Sequence, residues 1–64
     1  MEQLLKFSNL VDAQASAIAE SILHPDKDVY IIQERENYYV DDCGFIRSHE
    51  TLHGIYLNGK KQKL

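Results

Sequence analysis

The stretch Val29-Tyr30-Ile31-Ile32-Gln33-Glu34-Arg35-Glu36-Asn37-Tyr38-Tyr39-Val40 constrains this chain more than any other. β-Branched and aromatic side chains dominate it, and these types favour a pleated, half-buried surface. Glu34-Arg35-Glu36-Asn37 interrupts the pattern with four polar residues. Asn37 tolerates a left-handed conformation, so the break reads as a hairpin turn. The spacing predicts strands over about 29–34 and 37–41.

The remaining elements follow outward from this hairpin. Ser8 and Asn9 are helix N-cap types, and Asp12 falls in the first turn, where the helix dipole favours an acid. Val11, Ala15, Ile18 and Ile22 recur at spacings of three and four, which defines one apolar stripe on a helix. Leu10, Ala17 and Leu23 widen it. Proline disfavours helical geometry in the residue before it, so His24-Pro25 ends the helix, which is expected over about 9–23. Downstream, Asp41-Asp42-Cys43-Gly44 reads as a reversal with positive φ at Gly44, and Phe45-Ile46-Arg47 as a short strand over 45–47. Ser48 to Gly54 reads as a loop or a single helical turn, capped by Ser48 and closed by Gly54. Ile55-Tyr56-Leu57 is a possible fourth strand over 55–57, Asn58-Gly59 is a turn signal, and residues 60–64 form a basic tail. Leu4 to Phe7 stay unassigned.

The expected architecture is a single small α+β domain spanning residues 1–64. One N-terminal helix packs on a three- to four-stranded antiparallel meander in the order α-β-β-β-(β). With 64 residues, such a chain buries only about 60% of its unfolded surface, so its stability is marginal. Small domains commonly add disulfides, a metal or an oligomer interface. The sequence has one cysteine, Cys43, which excludes an internal disulfide and suits a reducing, cytoplasmic setting. The N-terminal residues lack the pattern of a signal peptide, and no apolar run approaches the ~18 residues of a membrane span.

Both sides of the predicted sheet carry large apolar residues, whereas one helix covers only one side. The exposed side is expected to present Tyr30, Ile32, Tyr39 and Tyr56, rimmed by Glu34, Glu36, Asp41 and Asp42. Tyrosine is favoured on contact surfaces because it combines apolar area with a polar tip. Two copies pairing through this face, or through an open sheet edge, would supply the missing burial. The expected function is therefore a non-enzymatic protein–protein interaction module, probing another protein or a second copy, and acting as an adaptor or an inhibitor of a larger partner. A homodimer is expected, with no cofactor.

One motif points elsewhere. His49-Glu50-Thr51-Leu52-His53 resembles the zinc-metallopeptidase motif H-E-x-x-H. There, two histidines on one helix face bind zinc and the glutamate activates water. The resemblance covers five residues and implies His49 and His53 as ligands with Glu50 as the base. Gly54 and strand-like residues follow at once, and the residues after His53 offer no third ligand, so a peptidase is not expected. A structural metal site remains an alternative through His49, His53 and Cys43, in the spacing C-x5-H-x3-H. A second alternative is a nucleic-acid contact through Lys60, Lys61 and Lys63. The formal net charge is −3 despite that tail, and an acidic body argues against a broad nucleic-acid footprint.

Overall fold

A computed structural model of the chain describes residues 5–42, 44 and 46–63. The element order is β1 (Leu5–Phe7), α1 (Leu10–Leu23), β2 (Val29–Glu34), β3 (Asn37–Asp41), β4 (Thr51–Leu57) and β5 (Lys60–Lys61). The strands form one antiparallel sheet in the order β1-β3-β2-β4-β5, with α1 against one face. The fold is α+β, as the residue pattern implies.

Local chemistry sets most boundaries. Asn9 is the N-cap of α1, and its Oδ1 accepts from the Asp12 N–H at 2.9 Å. Four alanines favour the helix that follows, and the N–H of His24 closes it on the Glu20 carbonyl at 2.9 Å. Across the central hairpin Glu34 pairs with Asn37, so Arg35 and Glu36 form the turn. Arg35, not Asn37, takes the positive φ, at 59°. It occupies the first turn position, which goes left-handed in both turn types that match strand twist. Asn58 and Gly59 have φ of 52° and 82°, the pattern of a type I′ turn, and join β4 to β5.

Several expectations need correction. Leu5–Phe7 forms a strand whose partner, β3, lies more than thirty positions downstream. The predicted strand at 45–47 is not seen: Ile46 and Arg47 carry no strand pairing, and Phe45 lies outside the described residues. The helical turn at 48–54 is replaced by the first half of β4, with Gly54 buried in mid-strand opposite Ile31. Lys60 and Lys61, read as tail, pair with Leu57 and Tyr56. Gly44 does not take a left-handed conformation; a side chain there would come within 2.8 Å of the Tyr30 ring. In β4, Gly54 faces Ile31 while Leu52 faces Ile32, so His53 is the extra residue of a bulge.

The largest correction concerns the rotation of α1. Of the stripe expected to face the sheet only Leu10 and Ala17 do so, and the rest points away: Val11 is 72% exposed, Ile22 57% and Leu23 68%. The residues packed on the sheet are Ala13, Ala17 and Ser21, spaced four apart and fully buried. Small side chains let the helix axis approach the strands, where Val29, Ile31, Val40 and Tyr56 complete the core. Leu5, Phe7, Leu10 and Tyr38 pack around its margin. Ser21 is satisfied in this apolar setting, since its hydroxyl donates to the Ile18 carbonyl and accepts from the Gly59 N–H, both at 2.8 Å. That second bond ties the helix to the β4–β5 turn.

Candidate functional site

The tyrosine face does not assemble as the sequence implies. Tyr56 pairs with Val29 and lies in the core beneath α1, only 5% exposed. Alternation along β2 places Tyr30, Ile32 and Glu34 together on the other face, where Ile32 pairs with Tyr39. That face is not open either. Gly44 sits against the Tyr30 ring, and His49 Nε2 meets Glu34 Oε2 at 2.8 Å. Gly44 and His49 thus meet the two ends of the row Tyr30–Ile32–Glu34, and Ile32 between them is only 5% exposed. Tyr30 and Tyr39 are half-buried.

The acidic rim is dispersed rather than continuous. Glu34 contacts His49. Glu36 is exposed in the β2–β3 turn, Asp41 ends β3 opposite Tyr30, and Asp42 approaches Lys27 Nζ at 3.9 Å.

The H-E-x-x-H residues occupy a turn and a strand, so the helix that the peptidase motif requires is not formed. His53 Nε2 contacts Gln33 Oε1, and its ring packs edge-on against Tyr38 at 5.3 Å between centroids. His49 instead contacts Glu34. Gln33 and Glu34 are consecutive in β2 and point to opposite faces, so the two histidines lie on opposite sides of the sheet. Glu34, His49 and Glu50 do converge, with one ligand-type atom from each lying within 4.8 Å of the others. Glu50 Oε1 also accepts from the Arg47 N–H at 2.8 Å, closing the turn before β4. Cys43 lies outside the described residues. Of the tail lysines, Lys60 and Lys61 are exposed on β5 and Lys63 is exposed beyond it.

An open cleft of about 310 Å³ lies beside the C-terminal end of α1, with Glu20, His24, Lys27, Val29 and Asp42 in its wall. Polar groups in that wall already lie near one another: Glu20 is 4.0 Å from His24 and Lys27 is 3.9 Å from Asp42.

The feature missed by the sequence reading is the outward side of α1, with Val11, Ala15, Ala19 and Leu23 exposed in one row and Ile18 and Ile22 beside it. The signal that would have found it is the parallel row of small residues, Ala13, Ala17 and Ser21, which alone can sit tightly against strands. Comparison of the chain with protein-family models, curated proteins and solved structures finds no match. Among the described residues, no helix is long and apolar enough to cross a membrane.

Proposed function

We propose that this protein is a non-enzymatic protein-interaction module of the cytoplasm, and that the outward side of α1 is its contact surface. One observation carries the reading: Val11, Ile18, Ile22 and Leu23 of the helix are exposed, while Ala13, Ala17 and Ser21 make its contact with the sheet. Covering an exposed Val, Leu or Ile side chain contributes about 1.5–3 kcal/mol, and contiguous apolar patches of this kind mark interaction sites. Val11, Ile18, Ile22 and Leu23 are therefore the residues assigned to the contact. Tyr30 packs against Gly44, Ile32 is buried beside its strand partner Tyr39, and Tyr56 belongs to the core.

Photo-crosslinking in cells that express the chain tests this. A benzophenone amino acid in place of Ile18 is expected to give a discrete adduct with a polypeptide, whereas the same probe in place of exposed Glu36 gives none. Adducts from position 39 but not from position 18 would return the contact to the sheet.

The convergence of Glu34, His49 and Glu50 favours a second reading, divalent-metal binding. On that reading, zinc titration moves the His49 ring resonances and saturates at one ion per chain, and Glu34→Gln weakens binding at least tenfold. Unmoved His49 resonances at equimolar zinc would remove it.

A further inference from the structure

The turn that joins β4 to β5 is built from a chemically labile pair. Asn58 and Gly59 take φ of 52° and 82°, and Asn-Gly is a preferred sequence for such a turn. Glycine is required at the second position, since a Cβ there would come within 2.9 Å of Ile22 Cγ1. The same pair is prone to lose its amide. The backbone nitrogen that follows an asparagine can attack the side-chain carbonyl carbon, and glycine leaves that approach unhindered. Of the three asparagines in the chain, Asn9 precedes Leu10 and Asn37 precedes Tyr38, whereas Asn58 precedes glycine. Asn58 is also exposed to the water that completes the reaction.

The attacking nitrogen is held back by the helix. The Gly59 N–H donates to Ser21 Oγ at 2.8 Å, and the Ser21 hydroxyl donates in turn to the Ile18 carbonyl at 2.8 Å. With its own hydrogen committed, the Ser21 oxygen faces Gly59 as an acceptor. It holds the proton that must leave before the nitrogen can react. Ser21 is fully buried, so water does not compete for this bond.

We infer that Asn58 is a site of spontaneous deamidation and that Ser21 is the latch that restrains it. The Gly59 nitrogen gives its proton to hydroxide and bonds to Asn58 Cγ. The Cγ–Nδ2 bond then breaks and ammonia leaves. Water opens the resulting cyclic succinimide, which leaves aspartate or isoaspartate at position 58. No oxidant or cofactor enters the balance. The proton loss is the one that base-catalysed amide hydrogen exchange also requires, and hydrogen-bonded native amides undergo it after local opening. Opening here means release of β5, which is held by the pairs Tyr56–Lys61 and Leu57–Lys60 and by the Gln62 N–H on the Ile55 carbonyl at 2.7 Å. Isoaspartate routes the main chain through the former side chain and so lengthens the turn. A two-residue turn of fixed geometry cannot absorb the extra carbon. Modification therefore converts a reversible opening into permanent release of Lys60 and Lys61 from the sheet.

Peptide mass mapping of the full chain during incubation at mildly alkaline pH tests the inference. Folded wild-type protein should deamidate at Asn58 about tenfold or more slowly than the same chain in urea, with Asn9 and Asn37 intact in both. Ser21→Ala should react about tenfold faster than wild type and keep its far-UV circular dichroism spectrum. Gln62→Pro removes the bond to Ile55 without touching the helix and should also accelerate the reaction, so it carries the test if Ser21→Ala does not fold. The isoaspartate form, separated by chromatography, should lose hydrogen-exchange protection at the Gly59 and Gln62 amides. Equal rates in the folded and urea-unfolded chains would overturn the latch, as would folded variants that react no faster than wild type. An unfolded chain in which Asn58 outlasts Asn9 and Asn37 would overturn the site. An isoaspartate form whose Gln62 amide stays protected would overturn the release of β5.

Discussion

Replacing Ile31 with alanine is expected to remove most of the stability of this chain. Ile31 is 1% exposed and sits at the centre of the sheet, between Val40 on β3 and Gly54 on β4. Truncating a buried isoleucine to alanine costs about 2–5 kcal/mol, and more where the surroundings cannot collapse into the cavity. Collapse is restricted here: Gly54 has no side chain to move in, and the helix above is already in close contact through alanines. A chain of this length has a total stability of roughly 3–10 kcal/mol. A loss of about 4 kcal/mol corresponds to a melting midpoint lowered by roughly 16–32 °C. Thermal unfolding followed by circular dichroism measures the effect. A midpoint within about 5 °C of wild type would mean that Ile31 is not the core position assigned to it.

The second large effect is expected at Ala17, in the opposite direction of volume. Ala17→Leu leaves helix propensity nearly unchanged, so any loss reports packing alone. The added atoms enter a fully buried contact between α1 and the strands. Overpacking of this kind costs about 1–3 kcal/mol, and the upper end applies because the helix cannot shift without breaking the Ser21–Gly59 hydrogen bond. Denaturant unfolding should give a midpoint well below that of wild type, whereas Ala19→Leu, on the exposed side, should leave it nearly unchanged. Equal effects at positions 17 and 19 would contradict the orientation of α1.

These two experiments separate what the sequence made legible from what it did not. The central hairpin, the Asn9 cap, the helix stop at His24-Pro25 and the Asn58-Gly59 turn all rest on interactions within a few residues, and they were readable. β1 was not, because a three-residue strand has no local signal and exists through β3. The rotation of α1 was misread because periodicity weighs side chains by size. Isoleucine and valine outweighed alanine and serine, although closeness of approach, not bulk, decided which row met the sheet. Phe45-Ile46-Arg47 reads as a strand because apolar residues near a turn usually are, but Ile46 and Arg47 pair with no strand, and Gly44 before them sits against the Tyr30 ring. The metal-like motif failed through geometry: its two histidines straddle the sheet, and the convergent group recruits Glu34 from fifteen positions upstream of His49.

The bulge at His53 has a consequence for behaviour at high concentration. Among the described residues, β5 pairs only with Tyr56 and Leu57 of β4, which leaves the margin from Thr51 to Gly54 without a neighbouring strand. An unpaired margin of regular strand is a template on which further chains can stack into fibrils. Here the margin is bent by the extra residue and its repeat is broken, so it offers incoming strands no straight register to copy. The other edge of the sheet, β1, offers only three residues, too short a margin for further chains to copy.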